Sequence, residues 1–95
     1  MRTKLLKILR LLSRKRVKIS VDNDGDFRIK KNNPFGDIEY LYLNSHDEWE
    51  WWLRGNYFHN IDAAKEHLAI GRRLFILDFV KMIRLEETRK LTKRL

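Results

Sequence analysis

Residues 46–68 read HDEWEWWLRGNYFHNIDAAKEHL, and the fold depends on how they are divided. The stretch holds all three tryptophans, Trp49, Trp51 and Trp52, followed by Tyr57 and Phe58. In a chain of 95 residues, such a concentration of large side chains is expected to form the core against which the rest packs. Two divisions compete. Ser45-x-x-Glu48 fits a capping box, which would place Trp49, Trp52 and Leu53 on one helix face. Alternation instead sets Trp49, Trp51 and Leu53 against Glu50, Trp52 and Arg54. Aromatic residues favour strands, and Gly55-Asn56 supplies a turn to end one, so the strand is preferred. Asn60 then serves as N-cap, with Asp62 in the first turn of a helix. The reading is strand, tight bend, helix, with Trp49 and Phe79 expected in one buried cluster.

Upstream, Val17-Lys18-Ile19-Ser20-Val21 and Phe27-Arg28-Ile29-Lys30 alternate strictly around the turn residues 22–26. A two-residue Asp24-Gly25 loop would set Val21 opposite Arg28 and mix the two sheet faces. A three-residue loop, Asn23-Asp24-Gly25, sets Val21 opposite Phe27 and Ile19 opposite Ile29, with Gly25 left-handed. This register leaves Lys18, Arg28 and Lys30 on the other face. Lys18 then faces Lys30, which costs a few tenths to about 1 kcal/mol unless an anion or an acid intervenes. Glu39 from the next strand is the expected acid. Asp22, Asp24 and Asp26 alternate as in a calcium loop, but the sixth and twelfth positions are Phe27 and Asn33, so no metal is expected.

Asn32-Asn33-Pro34-Phe35-Gly36 is a loop, and Ile38 to Leu43 a third strand. Residues 3–16 are expected to be helical. Leu5, Ile8, Leu9 and Leu12 share a face widened by Leu6 and Leu11, with Lys7, Arg10 and Arg14 opposite. Downstream, a first helix is expected from Ile61 to Ala69, with Gly71 as a break or bend. A longer helix then carries Phe75, Ile76, Phe79, Val80, Met82 and Ile83 on one arc. From about residue 87 the pattern fades into a basic tail that is expected to fray. The fold class is α+β within a single domain, 1–95: an N-terminal helix, an antiparallel sheet of three or four strands, and two C-terminal helices packed on one face.

The formal charge is +8, and it is unevenly spread. Residues 1–18 carry eight bases and no acid; residues 22–50 carry eight acids against three bases; residues 72–94 carry eight bases against three acids. The absence of cysteine excludes disulfides and thiolate metal sites and fits a reducing compartment, so a cytoplasmic location is expected. Lys7 and Arg10 interrupt the first apolar run and no small-residue cleavage site follows, so no signal peptide is expected. No stretch approaches the roughly 20 apolar residues of a membrane span.

Catalysis is not expected. His46, His59 and His67 form no metal-binding pair, no phosphate-cradling glycine loop or nucleophile elbow occurs, and no cofactor is implied. The pattern Trp51-x-x-x-Gly55-x-x-Phe58-x-x-x-x-Ala63-Ala64 has a loose likeness to small DNA-binding domains built from a three-stranded sheet and one helix. Its residues are those any sheet-to-helix turn would choose, and it does not amount to family membership. The expected function is nucleic-acid binding, DNA or RNA, in an accessory or regulatory role and without catalysis. The expected contacts are Lys7, Arg10, Arg14, Lys18, Arg28, Lys30, Arg89, Lys90, Lys93 and Arg94. The alternative is a protein-binding module, an inhibitor or adaptor, using Glu48, Glu50, Trp51 and Trp52 as its interface.

Overall fold

The computed structural model describes residues 2–94, with side chains for 3–92. The N-terminal stretch with its apolar helical face forms helix α1 (Arg2–Arg16), whose Leu9 and Ser13 are buried. The Ser13 hydroxyl is satisfied by donating to the Arg10 carbonyl at 2.7 Å. The buried stripe is narrower than the apolar pattern suggests, for Ile8 and Leu11 point into solvent.

Strand β1 (Val17–Val21) follows α1 with no intervening loop. It pairs with β2 (Phe27–Lys31) in the expected register: Val21 opposite Phe27, Ile19 opposite Ile29, Lys18 opposite Lys30. Gly25 has φ +82°, the left-handed conformation the turn requires. Asp22 organises that turn by accepting the backbone N–H groups of Asp24 and Asp26 on one oxygen, at 3.0 and 2.9 Å. Strands β3 (Glu39–Leu43) and β4 (Trp49–Trp52) complete an antiparallel sheet in the order β1-β2-β3-β4. The stretch 49–52 is therefore a strand. Ser45 caps nothing. Asn44 shapes the β3–β4 turn instead, its side-chain oxygen accepting the N–H groups of His46 and Glu48.

The inner face of the sheet carries Val17, Ile29, Leu41 and Trp51, all buried. Over it lies α2 (Ile61–Arg94), capped as expected by the Asn60 side chain, which accepts the Asp62 N–H at 2.7 Å. The two expected C-terminal helices are one helix of 34 residues. Gly71 does not break it. A Cβ at that position would lie 3.0 Å from Ile29 Cγ2, 3.2 Å from Trp51 Cη2 and 3.3 Å from Val17 Cγ1. The glycine is there to let the helix come down onto the sheet, and buried Ala64, two turns earlier, serves the same approach. The helix continues through the basic stretch expected to fray. At ~1.5 Å per residue it is about 51 Å long, and it sets the 55 Å long axis of the molecule.

The tryptophan at the centre of the core is Trp51, not Trp49. Trp51 is 9% exposed, whereas Trp49 is half-buried at the edge of the cluster. Phe79 lies outside that cluster, beside Phe75 in a cleft between the helices and the β2–β3 loop. His67 closes the core's rim. Its ring stacks on Phe58 at 4.3 Å, meets Trp49 edge-on, and Nδ1 donates to the Ala63 carbonyl at 2.7 Å.

Candidate nucleic-acid interface

A strand sends alternate side chains to opposite faces, so the inner face fixes what lies on the outer one. The helices cover only the inner face, because α2 approaches the sheet through Gly71 over Val17, Ile29 and Trp51. On the outer face, strand pairing sets Lys18 opposite Lys30, Lys30 opposite Tyr40, and Tyr40 opposite Trp52. Two lysines and two aromatic residues thus form one row across all four strands. Lys18 is exposed, Lys30 and Tyr40 are half-buried, and Trp52 is 54% exposed.

Glu39 does not separate the two lysines. It pairs across the strands with Lys31, one residue beyond Lys30, and therefore projects to the inner face. There its carboxylate meets the Lys31 ammonium at 3.2 Å and accepts from the Asn33 side chain at 2.8 Å. Among the described residues the Lys/Arg ion pairs are Lys31–Glu39 and Glu86–Arg89, His59 Nδ1 meets the Asp26 carboxylate at 2.6 Å, and neither Lys18 nor Lys30 takes part. The one acid of β4 on the outer face, Glu50, lies opposite Tyr42, on the far side of β3 from the lysines.

The bend after β4 adds a third aromatic residue. Strands β2 and β3 pair only through Lys30–Tyr40 and Lys31–Glu39, then splay apart. The chain from β4 crosses the outer side of β3 at Gly55, where a Cβ would collide with Tyr40 Cβ. It then fills the fork between the strands. Asn56 donates its N–H to the Leu41 carbonyl at 3.0 Å, and Phe58 exchanges both backbone hydrogen bonds with Phe27 at 2.8 Å. Phe58 turns inward to His67, which leaves Tyr57 outward. The Arg28 guanidinium lies 3.8 Å from the Tyr40 ring centre and 5.2 Å from that of Tyr57. Arg28 is thus held by aromatic faces, and its buried Nε has no hydrogen-bond partner.

The expected contacts fall on three surfaces. Lys18, Arg28 and Lys30 meet on the outer sheet face. Lys7, Arg10 and Arg14 are exposed on α1, in the helical layer behind the sheet. The terminal helices do pack side by side and antiparallel: Arg72 reaches the Val17 carbonyl at one end, while Leu5 and Leu6 share a groove with Ile83 and Glu87 at the other. Partial burial, then the charge of Arg14, holds the Arg72 guanidinium below its ordinary pKa. Arg89 and Lys90 are exposed on the distal half of α2, Arg89 within 3.9 Å of Glu86. The side chains of Lys93 and Arg94 lie outside those described. Of the alternative protein interface, Trp51 is buried and unavailable, while Trp52 and Glu48 are exposed.

Tyr40, Tyr57 and Trp52 were absent from the expected nucleic-acid contacts. The signal was present in part, since alternation already placed Trp52 opposite in sense to Trp51. Tyr57 depends on the crossing at Gly55, which no local pattern announces. Among the described residues no helix is long and apolar enough to cross a membrane. Comparison with protein-family models, with curated proteins and with solved structures returns no match, and the row of Lys18, Lys30, Tyr40 and Trp52 is the feature on which a functional reading rests.

Proposed function

We propose that the protein binds nucleic acid, without catalysis, through the outer face of its sheet, and that single-stranded segments are its preferred form. One observation carries this reading: Lys18 and Lys30 face each other without an acid between them, and the same row continues into Tyr40 and Trp52. Facing ammonium groups are a small local cost that a phosphate removes. Aromatic side chains beside such a charge supply stacking surfaces for unpaired bases, worth about 1–3 kcal/mol per base. Arg28, laid against Tyr40 and Tyr57, adds a fixed positive charge within the platform. An accessory or regulatory role follows from binding of this kind, which carries no chemistry of its own.

Fluorescence anisotropy with a labelled single strand and a labelled duplex, across a salt series, tests the proposal. The single strand should bind more tightly. The Lys18→Gln, Lys30→Gln double variant should flatten the log–log salt slope by roughly one to one and a half units, at about 0.7 per phosphate contact on a single strand. Stacking on Trp52 should quench part of the intrinsic fluorescence, and Trp52→Phe should abolish that quench. Absence of binding by the wild type at low salt would overturn the reading.

A further inference from the structure

The outer surface of α1 is left unexplained by the sheet. Ile8 and Leu11 are 59% and 61% exposed. Helical spacing places Lys4, Ile8, Leu11 and Lys15 along one line, with Lys7 and Arg14 one step around the helix. All four of these bases are exposed, and the segment contains no acid to neutralise them. The bases in the first turns also oppose the helix dipole. Such a face is both apolar and unpaired in charge.

We propose that this face of α1 seats the protein on an anionic membrane surface. Ile8 and Leu11 enter the boundary between headgroups and acyl chains, while Lys4, Lys7, Arg14 and Lys15 meet the lipid anions around them. Charge and chemistry favour this occupant over the others. A second copy docked on the same face would set one basic stripe against another. A nucleic-acid backbone would answer the bases but offer no apolar counterpart to Ile8 and Leu11. The contact is peripheral, and the surface is distinct from the sheet row, so the inference stands or falls independently of the nucleic-acid reading.

Co-sedimentation of the full chain with vesicles tests it. The wild type should sediment with phosphatidylcholine vesicles containing phosphatidylserine and stay in the supernatant with phosphatidylcholine alone. The Ile8→Asn, Leu11→Asn double variant should partition on the order of a hundredfold more weakly. Its circular dichroism should match the wild type and its melting should fall by no more than a few degrees, because both side chains are mostly exposed and asparagine is only the poorer helix former. The Lys18→Gln, Lys30→Gln variant should sediment as the wild type does. The proposal is overturned if the wild type ignores phosphatidylserine or if the asparagine variant sediments undiminished. It is equally overturned if that variant instead turns a wild-type dimer into a monomer, or loses nucleic-acid affinity while keeping its hold on vesicles.

Discussion

At position 71, helix propensity and packing pull in opposite directions. Alanine is better than glycine inside a helix by about 1 kcal/mol, so a glycine that merely tolerates the helix should welcome the exchange. Here the added methyl would press on Ile29, Trp51 and Val17, whose side chains are buried and have nowhere to go. Overpacking of this sort costs roughly 1–3 kcal/mol. Gly71→Ala should therefore lower stability in urea denaturation, and Gly71→Val should lower it further; a stabilised Gly71→Ala would mean that the helix does not sit where described. The hairpin offers a second contrast at this scale. Gly25→Val forces a branched side chain into the left-handed region and should cost about 1–3 kcal/mol. Asp24→Ala should cost a few tenths, because it is Asp22, not Asp24, whose carboxylate holds the turn. Thermal melts of the two variants side by side check the difference.

Individual elements were legible where one residue type permits one geometry. Alternation through 17–21 and 27–30 admits a single register once Gly25 must be left-handed, and that register is found. Asn60 could cap only the helix that follows it. The pattern was silent where a residue has two uses. A glycine in an apolar helical run can end the helix or let a neighbour approach, and only the sheet beneath Gly71 decides. Likewise, the alternation of 49–52 separates Trp51 from Trp52 but not Trp49 from Trp51; the path of α2 makes Trp51 the deeper. The charged row was half visible for the same reason. Lys18 and Lys30 follow from the hairpin, whereas Tyr40 joins them through the irregular β2–β3 loop, and Trp52 through a turn that Asn44 holds as Asp22 holds the first but with Asp47, φ 57°, in place of the telltale glycine. One consequence concerns α2. Its first half packs on the sheet through Ala64, Leu68, Gly71 and Leu74, while beyond Ile83 its described side chains are exposed. Backbone amides should exchange slowly from about Ala64 to Phe79 and much faster past Glu86, because exchange there needs no loss of tertiary packing. Uniform protection along the helix, measured by hydrogen exchange, would show that the distal half has a partner.

For the whole molecule, the decisive property is that positive charge lies on two layers. A net charge of +8 attracts polyanions from any direction at low salt, so affinity alone does not identify the contact surface. The salt slope does, because it counts the charges that displace counterions at the contact and is insensitive to distant ones. Lys7, Arg10 and Arg14 sit in the helical layer, and Lys18 and Lys30 on the far side of the sheet. Both sets remove exposed or half-exposed charge without touching the core, so both variants should stay folded. Removing the three helical bases as glutamines takes away more charge than the double lysine variant, yet it should leave the single-strand slope within about half a unit of wild type. It should reduce the association rate at low salt, where long-range attraction still acts, and that loss should vanish near physiological ionic strength, where screening shortens the field to about 8 Å. Stopped-flow association rates and an equilibrium salt series on the same strand measure the two effects separately. If the triple variant instead flattened the slope by about two units, the phosphates would be lying along α1, and the sheet row would be a by-product of the fold.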